Sequence, residues 1–252
     1  MTQSLFVADL HLDPANPDTI NLAIEFLVEA KSADQLYILG DLFEYWLGDD
    51  AGDPALSPII DALTLLSASS TQLYLMHGNR DFLLGDAFAT QIGATLISDD
   101  EHIVQLGDER ILLLHGDTLC TDDVDYQKLR SQLRAPEWQK RFLAMSIEQR
   151  VTTAQALRQK SRNAVAGKQA AIMDVNEEAV HSRFLATACP IMLHGHTHRP
   201  DTHQVDVNGQ TRQRLVVGSW HSDHAVYARY DGQQLQLQTY TLSRKYSSRD
   251  TA

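Results

Sequence analysis

The chain has 252 residues, 43% of them hydrophobic, and a formal net charge of −12. That length can bury a sizeable core and suits one large domain, or a domain with an insertion. The acidic balance argues against a general nucleic-acid binder, and no apolar run approaches the length of a membrane span.

The N-terminus lacks a charged region followed by an apolar one, so the expectation is a cytoplasmic protein with no spanning helix. Leu5-Phe6-Val7-Ala8 reads as a buried strand that runs into Asp9-Leu10-His11, where alternation aims Asp9 and His11 the same way. Asp18 reads as an N-cap, and Ile20 to Ala30 has helical periodicity through Leu22, Ala23, Phe26 and Leu27. Leu36-Tyr37-Ile38-Leu39 is a second buried strand, ending in Gly40-Asp41. A helix from Pro58 to Ala68 follows, with Ile59, Leu63 and Leu66 on its core face. Leu73-Tyr74-Leu75-Met76 is a third strand, and it ends in the turn-prone stretch Gly78-Asn79-Arg80-Asp81. This alternation favours a layered α/β fold with helices on the sheet faces.

Ile111 to Leu114 is another apolar run, ending in His115-Gly116-Asp117, and Ile191-Met192-Leu193 leads into His194-Gly195-His196-Thr197-His198. Between them, Asp125 to Val180 reads as helical, with Pro136 opening a new helix. From Tyr126 to Lys168 this segment carries ten Lys and Arg against only Glu137 and Glu148 (net +8). Residues 125–171 are therefore expected to form an inserted helical lid on a core made of 1–124 and 172–242. Toward the C-terminus, Asn208-Gly209 and Asp231-Gly232 signal hairpins between antiparallel strands. The polar tail 243–252 is expected to fray. Cys120 and Cys189 form no motif and read as free thiols.

Five strand ends thus carry Asp9 and His11, Asp41, Asn79, His115, and His196 with His198. Loops at the carboxyl ends of strands in an α/β sheet converge on the usual ligand site. Each element taken alone is a common loop feature; their joint occurrence after apolar runs is not. Carboxylate, amide and imidazole groups without a thiolate suit borderline or harder divalent ions. Seven ligands are too many for one tetrahedral ion and suit two ions sharing a carboxylate, an arrangement used for in-line displacement at phosphorus. His77 and His194 read as supports of their ligand neighbours.

In content and order, Asp9-x-His11, Gly40-Asp41, Gly78-Asn79-x-Asp81, His115-Gly116-Asp117 and Gly195-His196-Thr197-His198 resemble the calcineurin-like metallophosphoesterases. The resemblance implies a layered β-sandwich core flanked by helices. It implies one metal held by Asp9, His11, Asp41 and His198. Asn79, His115 and His196 would hold the other, with Asp41 bridging. Many relatives have His where this chain has Arg80, which cannot shuttle protons near neutrality but can clamp phosphate oxygens.

The wider pattern is similar to the UDP-2,3-diacylglucosamine pyrophosphohydrolases of lipid A biosynthesis. It rests on Gly78 to Phe82, His115 to Asp123, Tyr126-Gln127, Ala171 to Asn176 and Gly195 to Arg199. That similarity implies water attack on the α-phosphorus of UDP-2,3-diacylglucosamine, with manganese as the usual metal. It also implies substrate contacts from Asn79, Arg80, Asp123, Ser161, Lys168 and His196. Val165 stands where relatives often carry Asn, and Tyr126 reads equally well as pocket lining or core. The basic insertion, with Leu129, Leu133, Trp138, Phe142, Leu143 and Met145, would supply an apolar groove beside cations and rest on the anionic inner face of the inner membrane. The competing expectations are another dinuclear phosphoesterase acting on soluble nucleotides or phosphodiesters, and a metal-free scaffold on the same fold.

Overall fold

Successive side chains of the apolar runs enter different cores, which is why the runs are apolar throughout. In β1 (Ser4–Val7), Leu5 and Val7 join one core while Phe6 and the following Ala8 join another. In β2 (Gln35–Ile38), Leu36 and Ile38 part from Tyr37 and Leu39 in the same way. The computed structural model describes residues 2–165 and 174–242, with the backbone alone for 160–165. Lys168 and the tail 243–252 lie outside the described residues.

Helices α1 (Pro17–Ala30) and α2 (Ser57–Ser67) pack on β1, β2 and β3 (Gln72–Met76) through Leu22, Phe26, Ile59 and Leu63. Pro17 occupies the first turn of α1 and Asn16 precedes it, so Asp18 lies inside the helix and is not the expected N-cap. There it complements the helix dipole. Then come α3 (Asp86–Gln91), β4 (Ala94–Ile97), β5 (Glu101–Leu106) and β6 (Glu109–Leu114). The sequence signals for β4 and β5 are weak because both are edge strands, buried at alternate positions or fewer.

The helical segment divides into α4 (Val124–Leu133), α5 (Pro136–Leu143) and α6 (Ile147–Val165), followed by α7 (Glu177–Thr187). Asn176 caps α7 by accepting from the Ala179 amide at 3.0 Å. Val180 and Phe184 of α7 pack with Leu112, Leu114 and Met192, so this helix covers the core. The chain closes with β7 (Ile191–His194), β8 (Asp201–Val207), β9 (Gln210–Val216), β10 (His224–Tyr230) and β11 (Leu235–Thr241). Asn208 and Gly209, both left-handed, join β8 to β9 as a tight hairpin.

Among the described residues two sheets form a sandwich. One has the order β11-β10-β1-β2-β3-β4 and the other β5-β6-β7-β9-β8. Strands β1 to β4 run parallel in the first sheet, and β6, β7 and β9 in the second. Phe6, Tyr37, Met76, Ile111, Leu113 and Leu193 fill the space between them. With α1 and α2 outside one sheet and α7 outside the other, the architecture is a β-sandwich flanked by helices. Parallel pairing also brings the carboxyl ends of β1, β2, β3, β6 and β7 to one edge of the sandwich.

Candidate metal centre and adjoining cavity

The expected strand ends do meet. Beyond β1 and β2 the ladder continues: the Asp9 amide donates to Gly40 O at 3.1 Å and the His11 amide to Asp41 O at 3.0 Å. Asp9, His11, Asp41, His196 and His198 all have positive φ, between 47° and 70°. Such backbone is uncommon for residues with a Cβ and clusters where side chains must be aimed against local preference. Gly78 is required by close approach, since a Cβ there would stand 2.1 Å from Asp41 Oδ1.

Asp81 locks these loops together. Its fully buried carboxylate accepts from the amides of Gly78 at 2.9 Å and Leu42 at 2.7 Å, and from those of Asp41 and Phe43 at 3.3 Å each. Asp41 Oδ1 accepts the Arg80 amide at 2.7 Å. Its Oδ2 lies 3.7 Å from His11 Nε2 and 3.6 Å from His115 Nε2, between the two sides of the centre. On one side, His11 Nε2 and His198 Nε2 are 3.1 Å apart. On the other, Asn79 Oδ1 is 3.0 Å from His115 Nε2 and 2.8 Å from His196 Nδ1. Asp9 Oδ2 accepts the His196 amide at 2.8 Å, and His115 Nδ1 faces Leu39 O at 2.9 Å.

The electrostatics of the bare pocket are those of a cation site. Burial pushes the Asp9 carboxyl up to about 7, against the pull of His115 and with a further push from Asp41. Burial, and then neighbouring His115, hold His196 down at about 4; burial and then His11 do the same to His198. Asp9 Oδ1 is buried with no hydrogen-bond partner. Two triplets of donor atoms, Asp9-His11-His198 and Asp9-Asp41-His115, each gather within 4.8 Å. Burial lowers His11 and His115, but neighbouring carboxylates outweigh it and raise both. Buried carboxylates, the depressed imidazoles of His196 and His198 and an orphaned acceptor fit a divalent ion.

A cavity of about 260 Å³ opens from this centre. Asn79, Arg80, Glu44 and His196 line its polar end; Leu129, Leu133, Trp138, Phe142 and Leu157 line its apolar end, beneath α4, α5 and α6. Arg80 and Asp123 both face it, and Asp123 also caps α4 by accepting the Tyr126 amide at 3.0 Å. Tyr126 lines it too: its ring stacks 6.0 Å from that of His196 and its hydroxyl donates to Asp117 at 2.7 Å. Ser161 lies on α6, where only the backbone is described.

Sequence reasoning missed several residues. Glu44 follows the Gly40-Asp41 stretch and faces Arg158, Arg80 and His11; burial pushes its carboxyl up, but those partners outweigh burial and hold it at about 2. Trp46 and Leu157 carried no signal beyond ordinary core patterning, whereas Phe82 lay in the stretch that carries the resemblance and Arg134 among the bases of the insertion; all four line the cavity. Of the bases of the insertion, Arg130, Arg134 and Arg158 line the cavity; there Arg130 also binds Asp117 and Arg134 donates to Gly78 O at 2.9 Å. Arg150 does not line it: it is 4% exposed, bound to Asp50 and to the carbonyls of Leu47, Leu143 and Met145. Of the two histidines expected to support their ligand neighbours, His77 instead bonds Leu84 O at 2.6 Å, and His194, fully buried, faces Gly195 O and Arg214.

The model of the calcineurin-like phosphoesterase family matches residues 3–200, which span every one of these strand ends. The chain belongs to this family. Metallophosphoesterases use divalent metals, and the donor set described above suits them. The phosphoesterase is 46% identical over 218 residues to a UDP-2,3-diacylglucosamine hydrolase of Chromohalobacter salexigens, covering 86% of this chain and 88% of that protein. It is also 46% identical over 219 residues to a UDP-2,3-diacylglucosamine hydrolase of Yersinia pestis, covering 86% and 91%. In fold, the phosphoesterase is similar to an archaeal phosphodiesterase, with a TM-score of 0.50 at 12% identity over 96% of this chain and all of that one.

Proposed function

We propose that the protein hydrolyses the pyrophosphate of UDP-2,3-diacylglucosamine, releasing UMP and 2,3-diacylglucosamine 1-phosphate. The observation that carries this reading is the single cavity that joins the centre around Asn79 and His196 to an apolar wall beneath α4–α6. A soluble diester needs the first part only. Each buried methylene of an acyl chain contributes ~0.8 kcal/mol, so the apolar wall would dominate affinity for the lipid part. We treat 125–171 as the lid and 1–124 with 172–242 as the core.

In this reading Asp9, His11, Asp41 and His198 hold one divalent ion, and Asp41, Asn79, His115 and His196 the other, with manganese as the working metal. Bound there, the ions supply Lewis acidity toward the phosphate oxygens and lower the pKa of water at the site. The water oxygen bonds to the α-phosphorus, and the bond from that phosphorus to the bridging oxygen breaks. Arg80 clamps the phosphate oxygens; it cannot donate a proton to the leaving group. The leaving group is itself a phosphate monoester and needs little protonation. Asp123, Ser161 and Lys168 contact the sugar, as do Asn79 and His196 on the metal side.

The lid also offers a membrane-facing surface. Lys128, Lys140 and Arg141 are exposed, as are Leu143 and Ile147, with exposed Val124 just before the lid. No helix among the described residues is long and apolar enough to cross a membrane. Basic side chains beside exposed apolar ones support peripheral attachment to the cytoplasmic face of the inner membrane, where each base near the surface is worth ~1 kcal/mol. Raising salt should release the protein from anionic vesicles.

The decisive assay compares UDP-2,3-diacylglucosamine with bis(p-nitrophenyl) phosphate at fixed manganese. Turnover of the diacyl substrate with UMP as product is expected, and chelation should abolish it. Faster cleavage of the small diester would replace this reading with a soluble phosphodiesterase.

A further inference from the structure

Glu44 belongs to none of the donor sets above, yet it touches three parts of the site. Its backbone is fixed by a bridge between Leu12 and Phe43, and its own amide donates to Leu12 O at 3.2 Å. Its Oε2 lies 3.0 Å from His11 Nδ1. Its Oε1 lies 2.5 Å from Arg158 Nη2, on α6, and 3.7 Å from Arg80 Nη1. The carboxylate is therefore shared between a strand-end histidine, the lid and the residue facing the phosphate.

We propose that Glu44 is a positioning residue with two oxygens in two roles. One sets His11 so that Nε2 faces the metal side, and the other tethers the lid helix to that centre through Arg158. The inference rests on reading His11 as a metal ligand.

The first role follows from imidazole chemistry. A carboxylate near Nδ1 favours the proton on that nitrogen and leaves the Nε2 lone pair free to bind a cation. The contact here is an ion-pair approach of 3.0 Å outside hydrogen-bond angles, so Nδ1 has no formal hydrogen-bond partner and the effect is electrostatic. In this structure His11 Nε2 is the atom that faces His198 Nε2 and Asp41 Oδ2. The second role follows from what else holds Arg158. Its Nε is buried without a partner, and its guanidinium sits over the Tyr45 ring at 5.3 Å from the centroid. Glu44 is its carboxylate partner and orients the fork. Leu157, the neighbour of Arg158, lines the apolar end of the cavity. Glu44 is thus a second acidic anchor of α6, above the centre, beside the Arg150–Asp50 pair nearer the helix start.

An ordinary half-exposed ion pair would be worth ~0–1 kcal/mol and would leave metal binding untouched. The substitution that separates the two cases is Glu44→Gln. An amide has one acceptor, so it can accept from His11 only by turning its NH₂ toward Arg158, donor against donor.

The experiment titrates the metal-free protein with manganese alone, reading free metal by electron paramagnetic resonance. Glu44→Gln should weaken affinity by about tenfold or more, the usual cost of losing a carboxylate behind a ligating histidine. The loss should not add to that of His11→Ala, because both remove the same contact. Arg158→Met should instead raise KM for the diacyl substrate several-fold, with a smaller shift in manganese affinity than Glu44→Gln. Glu44→Asp, too short to span both partners, should fall with Glu44→Gln. Circular dichroism and melting of each metal-free variant confirm that the fold is retained. Wild-type manganese affinity in Glu44→Gln, with His11→Ala impaired, would overturn the proposal alone. Wild-type affinity in His11→Ala would overturn it together with the ligand reading.

Discussion

The two ends of the cavity are built by opposite means. The metal end is made of short polar side chains on strand ends, with left-handed backbone at five positions and a buried aspartate, Asp81, bracing the loops. The lid end is made of large apolar side chains on helices, where ordinary helical backbone aims them and interchangeable hydrophobes define the wall. At the first end a change of one atom alters the chemistry. At the second, volume and polarity matter and identity matters less. The contrast makes distinct predictions for the two ends.

The largest effect belongs to Asp41→Ala. Losing the carboxylate between His11 and His115 should lower turnover by roughly a thousandfold or more, since metal Lewis acidity supplies several kcal/mol. Metal analysis of the purified variant should show reduced loading; full loading with full activity would remove Asp41 from the centre. Arg80→Ala should keep its metal and lose about a hundredfold in kcat/KM, the scale of one lost donor to developing charge. Equal metal loss in the two variants would erase the distinction between ligand and clamp. Leu133→Gln tests the lid end: KM for the diacyl substrate should rise about tenfold while cleavage of a small diester is unchanged. A matching loss on both substrates would mean that the apolar wall supports the centre and does not hold the lipid. The smallest change in activity is expected from Arg150→Met. It removes donors from three carbonyls and should cost about 1–3 kcal/mol of stability, read as a lower melting temperature, with turnover reduced only a few-fold.

The same contrast explains what could be read in the sequence. Strand ends are legible because a fully apolar run followed by Asp, His or Asn marks both the end of a buried strand and a residue exposed to the site. Asp9, His11, Asp41, Asn79, His115, His196 and His198 were all expected on that ground, and the fold brings them together. Helix periodicity revealed the basic segment after Asp123 as helical but not its inner contacts. Whether Arg150 points at solvent or into Asp50 depends on how α6 docks, which is a tertiary outcome. Glu44, and the pairing of Arg158 with it, escaped for the same reason: the two residues are 114 positions apart in the chain. The edge strands β4 and β5 escaped because half-exposed strands lose the apolar run that betrays the central ones.

The left-handed backbone at the strand ends has a consequence for evolution and engineering. Each such residue with a Cβ carries a cost of about 1–2 kcal/mol that glycine would not. His198, at φ 53°, is exposed as a whole residue, and its ring loses chiefly the stack on His11 at 4.9 Å. His198→Gly should therefore melt higher than the parent in the metal-free state, by about 2–4 °C for each kcal/mol relieved, while binding metal less well. Selection for stability alone would erode this centre one glycine at a time. On the proposed reading, the candidate ligands persist against that drift only as long as the reaction is under selection.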